Sequence, residues 1–289
     1  MSSTDPANSA KTRLRILTYV TPEVPITIFT MLRDCIEEVT EMEVDLMVED
    51  RFPGPSPSRT NPFSADLADI VIMHSTDYLR LKVHKQDHME LCRAAPVHKH
   101  PLVTDRPIYF SEIIINSANK EKYKSIQDLR GCSWAYNNDS SLSGNLVVLD
   151  YLKKHLKTNA AHFGNIILSG SHLNSIKMVR DFRVEAAAVD STVLAGYLLE
   201  HEDHHDKFTS VESLGPLPIY PFLFNSRLSA RLKHKITDML LSLTKSPKWA
   251  VQLNDLGILR FVPVEPEFYH LEDDIVKGTL GLSISATYY

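Results

Sequence analysis

A chain of 289 residues, 43% hydrophobic and 23% charged, is long enough to bury a substantial core as one large domain or as two lobes. A formal charge of -5 and a pI near 6.2 argue against a nucleic-acid binder that works by neutralising phosphates. Cys35, Cys92 and Cys132 are far apart and form no CxxC pair, which speaks against a disulfide framework or a structural zinc site. No apolar run approaches the ~18 residues of a membrane span, and the polar N-terminus lacks the apolar core of a secretory signal. The expectation is therefore a cytoplasmic protein with reduced thiols.

Taken in chain order, residues 1–12 read as a disordered tail and residues 14–20 as a first strand. A turn with Pro22 and Pro25 leads into a helix whose core face is Ile28, Leu32, Cys35, Ile36 and Val39. Residues 44–48 read as a second strand. Residues 51–61, with Pro53, Pro55 and Pro57, are a loop. The continuous run Ile70, Val71, Ile72 and Met73 marks a strand buried on both faces, from which residues 74–78 enter a helix. Residues 83–100 are polar and rich in histidine. His84, His88, His98 and His100 lack a tight ligand pattern, so they read as solvated surface and not as a metal site. His201, His204 and His205, among Glu200, Glu202, Asp203 and Asp206, read as a solvated loop.

Residues 107–115 are a long β-rich run, and residues 125–131 a short helix closed by Gly131. Residues 132–136 read as a buried strand, followed by the polar turn 137–145 and an amphipathic helix over 146–154. The next strand, 165–169, ends in Gly170, Ser171 and His172 before a helix over 175–182. Residues 184–191 are a further strand, leading into a helix through Leu198. Residues 216–224 look like a crossover of the chain. Amphipathic helices over 228–243 and 249–256 come next, with a last helix near 269–276. Strands alternating with helices imply an α/β protein with mainly parallel sheets. Polar groups gather where strands end and helices begin, the place where open α/β sheets bind ligands.

The turn over residues 137–145 is the richest of these places. Amides at a helix start and the helix dipole favour an anion there. Ser141 and Ser143 add hydroxyls, and Gly144 permits close approach to the backbone. Simple helix capping by Ser, Asn and Asp is the competing reading of the turn alone.

The ordered set Asp128-Leu129-Arg130-Gly131, Ser141-Leu142-Ser143-Gly144, Ser169-Gly170-Ser171-His172 and Ala187-Ala188-Val189-Asp190-Ser191 resembles a known pattern. It is that of the phosphate/phosphite/phosphonate-binding proteins of ABC importers, which have the type 2 periplasmic-binding-protein fold. Residues 19–25, 69–78 and 218–224 are similar to the same family. The resemblance implies two α/β lobes joined by two hinge crossovers and closing over a small anionic ligand. Lobe one would be residues 13–110 completed by 225–289, and lobe two residues 111–224. It also implies ligand contacts from Ser141, Ser143 and the amides of Gly144 and Asn145, with Tyr78 closing from lobe one. Tyr19, Tyr109, Ser171, His172 and Asp190 complete the candidate set. Where some family members have an acidic residue after the histidine, this chain has Leu173, which disfavours an amino-bearing ligand. No cofactor or metal motif is present, and no Walker loop or nucleophile elbow. The partner is a small anion, with a protein partner left unidentified. The alternative is a cytosolic enzyme on the same scaffold, with His172 and Asp190 as its acid–base pair.

Overall fold

The computed structural model describes residues 13–51, 54–55, 61–83, 88–103 and 105–282. The expected tail at 1–12, most of the loop over 51–61, and His84 lie outside them.

Strand β1 (Arg13–Thr18) alternates, burying Leu14, Ile16 and Thr18. Helix α1 (Ile26–Thr40) lays Ile28, Phe29, Met31, Leu32, Cys35 and Ile36 on the core and ends at Glu41, which adopts a left-handed conformation with φ 59°. Strand β2 (Glu43–Val48) is next, then β3 (Ile70–Ile72), buried throughout, and α2 (Ser75–Val83). Strands β4 (Met89–Leu91) and β5 (Ala94–His98) precede β6 (Ile108–Asn116), all nine residues of which are buried. Next come β7 (Trp134–Tyr136), α3 (Val147–Lys154), β8 (Ile166–Leu168), α4 (His172–Arg180), β9 (Ala186–Asp190) and α5 (Ser191–Glu200). The chain returns through β10 (Phe208–Pro218) and β11 (Phe222–Asn225). It closes with α6 (Ala230–Ser242), α7 (Pro247–Asp255), β12 (Ile258–Pro263) and α8 (Asp273–Gly278).

Two five-stranded sheets result, ordered β2-β1-β3-β11-β4 and β10-β6-β9-β7-β8, with β12 and β5 forming a two-stranded ribbon. The α/β class is as expected, but each sheet is mixed. Local βαβ crossovers make β1 parallel to β2 and β3, and β7 parallel to β8 and β9. The strands that carry the chain between sheets run antiparallel: β11 to β3 and β4, and β6 to β9 and β10. The chain passes to the second sheet between β5 and β6, and back between β10 and β11. Accordingly β6 begins at Ile108 in the second sheet, and β11 already belongs to the first.

The reading of residues 83–100 as solvated surface fails in its second half, because β5 is wholly buried, His98 included. Its partner β12 lies far along the chain, so no local pattern announces the strand. Burial pushes the His98 imidazole down to about 4, which keeps it neutral, and its Nε2 lies 2.9 Å from the Tyr220 hydroxyl. His100 is half-buried, 3.0 Å from Glu112 Oε1 and stacked on Phe110. His204 is likewise tied to Tyr197, its Nδ1 lying 2.8 Å from the hydroxyl, while His205 is exposed.

Candidate functional site

Strand β7 delivers the polar turn to the carboxyl edge of the second sheet. Ser141 is extended and caps the turn after it, its Oγ accepting the Gly144 N–H at 3.0 Å. Leu142–Leu146 is a single π-helical turn that runs straight into α3. The Asn145 N–H donates to the Ser141 carbonyl at 3.2 Å, and its side chain donates to the Asp139 carbonyl at 2.7 Å. The amides of Gly144 and Asn145, expected to meet a ligand, are thus used inside the turn. Gly144 serves a different need. A Cβ there would stand 1.8 Å from Asn137 Oδ1 and 3.0 Å from His172 Cε1, so only glycine lets Asn137 and His172 close in.

Ser143 is the hub of the turn. Its carbonyl accepts from the Ser111 hydroxyl at 2.6 Å, and its Oγ lies 3.3 Å from His172 Nε2. His172 Nδ1 faces the Asp190 backbone N–H at 3.4 Å and accepts from it. That contact assigns the ring proton to Nε2, which donates to Ser143 and leaves the Ser143 hydroxyl hydrogen for a ligand. The Asp190 carboxylate caps α5, with Oδ1 accepting from the Thr192 N–H and hydroxyl at 2.7 Å each.

These groups line a pocket with room for about 40 Å³. Ser141, Ser143, His172, Asp190 and Tyr109 are all on its wall. The first sheet contributes Glu23 and Val24 after β1, and His74, Ser75, Thr76 and Asp77 after β3. Tyr220 comes from the return crossover. Ser171 and Tyr19 instead line a neighbouring crevice. Ser171 caps α4, accepting the Asn174 N–H at 3.1 Å. Tyr78 is not on the pocket wall: it is buried edge-on against Tyr269, ring centroids 5.3 Å apart, because its helical position turns it into the core while Ser75, Thr76 and Asp77 face the pocket. The sequence reading missed His74, Ser75, Asp77, Glu23 and Tyr220 as pocket residues. The first three were marked by their place at the carboxyl end of a doubly buried strand, and Glu23 by the turn between the first strand and its helix; Tyr220 carried no such signal.

The pocket's described wall holds no lysine or arginine. It offers hydroxyls, amides and imidazoles, together with three carboxyl groups. Burial pushes the Asp190 carboxyl up from its ordinary range, against His172 and Thr192, which hold it down. Burial raises Asp77 as well, against the nearby His74 and its ion pair with Arg80. Burial and the charge of Asp190 push the Tyr109 hydroxyl well above its usual value, so it stays protonated. Behind Ser75, Glu272 is wholly buried, accepts the Ser75 hydroxyl at 2.5 Å, and is pushed up to about 8 by burial. Among the described residues no group of three or more His, Cys, Asp or Glu is placed to hold a metal ion. The acid–base pairing of His172 and Asp190 finds no support in the contact between them. It runs through the Asp190 backbone, and a protonated Nε2 cannot take a proton from Ser143.

A two-lobed α/β architecture with polar helix starts converging on a cleft is that of the periplasmic binding proteins. The family model described as "ABC transporter, phosphonate, periplasmic substrate-binding protein" matches residues 14–269, and the chain belongs to that family. Among solved structures, the chain is similar to PhnD1 from Prochlorococcus marinus in complex with methylphosphonate, with a TM-score of 0.71 at 14% identity over 94% of this chain and 100% of that one. It is similar to a binding protein component of an ABC phosphonate transporter from Pseudomonas aeruginosa, with a TM-score of 0.73 at 16% identity, covering 96% and 91%. It is also similar to a Xanthomonas citri protein bound to ATP, with a TM-score of 0.59 at 14% identity, covering 93% and 97%. The search among curated proteins found no match. No helix of the described residues is long and apolar enough to cross a membrane.

Proposed function

We propose that the chain binds a small phosphate- or phosphonate-like anion in the cleft between its lobes, taken as residues 13–110 with 225–289 and residues 111–224. The observation that carries this reading is the Ser141–Ser143 turn at the start of α3, meeting His172 at the start of α4 in one pocket. The room of about 40 Å³ is several times the ~10–15 Å³ that one ordered water needs on the same measure, which accommodates a small anion. Family membership supports the same ligand class. The contacts we assign are the hydroxyls of Ser141, Ser143 and Tyr109, with His172 Nε2 arranging Ser143 and Asp190 accepting any proton the ligand carries. Tyr220, Ser75 and Thr76 close the wall from the other side.

Neutral donors suffice for this task, because a buried anion held by several oriented N–H and O–H groups needs no opposite charge. Isothermal titration with methylphosphonate, phosphite, phosphate and acetate tests the reading. Heat with at least one phosphorus anion and none with acetate is the expected result. Silence with every phosphorus anion would overturn it. By analogy with the family's description, a membrane transporter is the proposed protein partner. The family is described as periplasmic, so fractionation of cells producing the full chain decides between that location and the cytoplasmic one.

A further inference from the structure

Glu23 stands in the turn between β1 and α1, held from both sides by buried Val20 and Val24, whose backbones are joined by a Val24 N–H to Val20 carbonyl bond of 2.8 Å. Its carboxylate crosses the cleft and accepts the His172 N–H at 2.8 Å. That amide is the first of α4, on the side of the second sheet. The same turn touches that side again: a Cβ on Gly196 of α5 would lie 3.4 Å from Pro25 Cγ. A helix start attracts an anion through its unpaired N–H groups and its dipole. At α4 that anion is a side chain of the protein itself. Among the helix starts that line the pocket, the first amide of α4 is therefore occupied by a side chain of the protein, while the Ser141–Ser143 turn keeps its hydroxyls for a ligand.

We propose that Glu23 is a built-in strut: its carboxylate takes the anion position at the start of α4, holds the two sides of the cleft together without a ligand, and restricts the pocket to ligands with a single anionic head. A second negative group on the ligand would face Glu23 and Asp190 on a wall whose described residues include no lysine or arginine, and would find the first α4 amide already taken. The lone anionic head goes to the serine turn. The far end of the ligand meets carboxylates, so it must be neutral or cationic. Leu173, read from the sequence as disfavouring an amine, bears less on this point, because it packs against the apolar cluster of Ile176 and Val179 and is not on the pocket wall. The selectivity half of the proposal rests on the anion-binding reading above; the strut half does not.

The test compares the parent protein with Glu23→Gln and Glu23→Ala. Spin labels on Val48→Cys and Leu168→Cys, exposed positions on edge strands of the two sheets, report the distance across the cleft. Without any ligand, Glu23→Ala shifts the distance distribution to longer values and broadens it. Glu23→Gln, which keeps an acceptor oxygen but no charge, falls between. Superimposable distributions for all three proteins would overturn the strut whatever the ligand proves to be. Titration with methylphosphonate and phosphonoacetate, which share a head and differ in a second carboxylate, reads the selectivity. The parent prefers methylphosphonate by roughly tenfold or more, the scale of one charge-assisted hydrogen bond. Glu23→Ala narrows that preference, because the ligand's carboxylate can take the freed amide. An equal preference in both proteins would overturn the selectivity half. If neither compound binds either protein, the anion-binding reading and the selectivity claim fall together, and the distances still decide the strut.

Discussion

Ser143 is useful to a ligand because of what surrounds it. A lone serine at a helix start caps the helix, but here Ser141 has that duty and Ser143 is turned towards His172. The arrangement depends on Gly144, where any side chain would run into Asn137. Gly144→Ala is expected to destabilise the protein by about 1–3 kcal/mol, as overpacking does, and to abolish anion binding. Denaturant melts and titration calorimetry measure the two effects. Glu272 makes a second prediction, through pH. Its folded value of about 8 stands above the ordinary 4.5, so the folded protein holds this proton more tightly than the unfolded chain. The stability it contributes is complete below about 4.5 and is lost as the pH rises through about 8, with a slope of up to ~1.4 kcal/mol per pH unit. Glu272→Gln lacks this dependence. The stability difference between variant and parent, tracked by urea unfolding from pH 5 to 9, moves in favour of the variant as the pH rises and levels off above about 8.

At the level of elements, the pocket is assembled from helix starts, and each start is prepared by its own cap. Ser141 caps the π-helical turn, Ser171 caps α4 and Asp190 caps α5. Ser171→Ala removes the acceptor for the Asn174 N–H and is expected to cost about 1 kcal/mol, measurable by thermal or chemical unfolding. Since Ser171 is off the pocket wall, ligand affinity should fall far less than stability. The π-helical turn was not legible, because a widened turn depends on how Ser141, Gly144 and Asn137 fit together and not on periodicity. The helix behind it, over 147–154, was legible from its strong amphipathic pattern. Tyr78 shows the opposite case: a correctly placed helix start with the aromatic ring turned inwards, towards Tyr269, a partner from near the end of the chain.

At the level of the whole molecule, two sheets joined by the crossings from β5 to β6 and from β10 to β11 are expected to move against each other, with the ligand favouring closure. Small-angle scattering should show a smaller radius of gyration on adding methylphosphonate. Ligand at a hundred times its dissociation constant should stabilise the fold by about 2.7 kcal/mol, seen as a raised melting temperature. Glu23 tempers the first effect, since a strut that already bridges the cleft leaves less closing to be done. The amino-acid sequence by itself determined the alternation of strands and helices, the serine turn, and the motifs that mark the family. Such signals are local: they live in periodicity, caps and short runs read within a dozen residues. Only the tertiary structure decided that β5 is buried against β12, that Tyr220 and Glu23 reach the pocket, and that the Gly144 and Asn145 amides are already bonded. Each of these depends on groups meeting in space, across a sheet, across the cleft or around one tight turn, and side-chain identity along the chain does not encode that meeting in any local pattern.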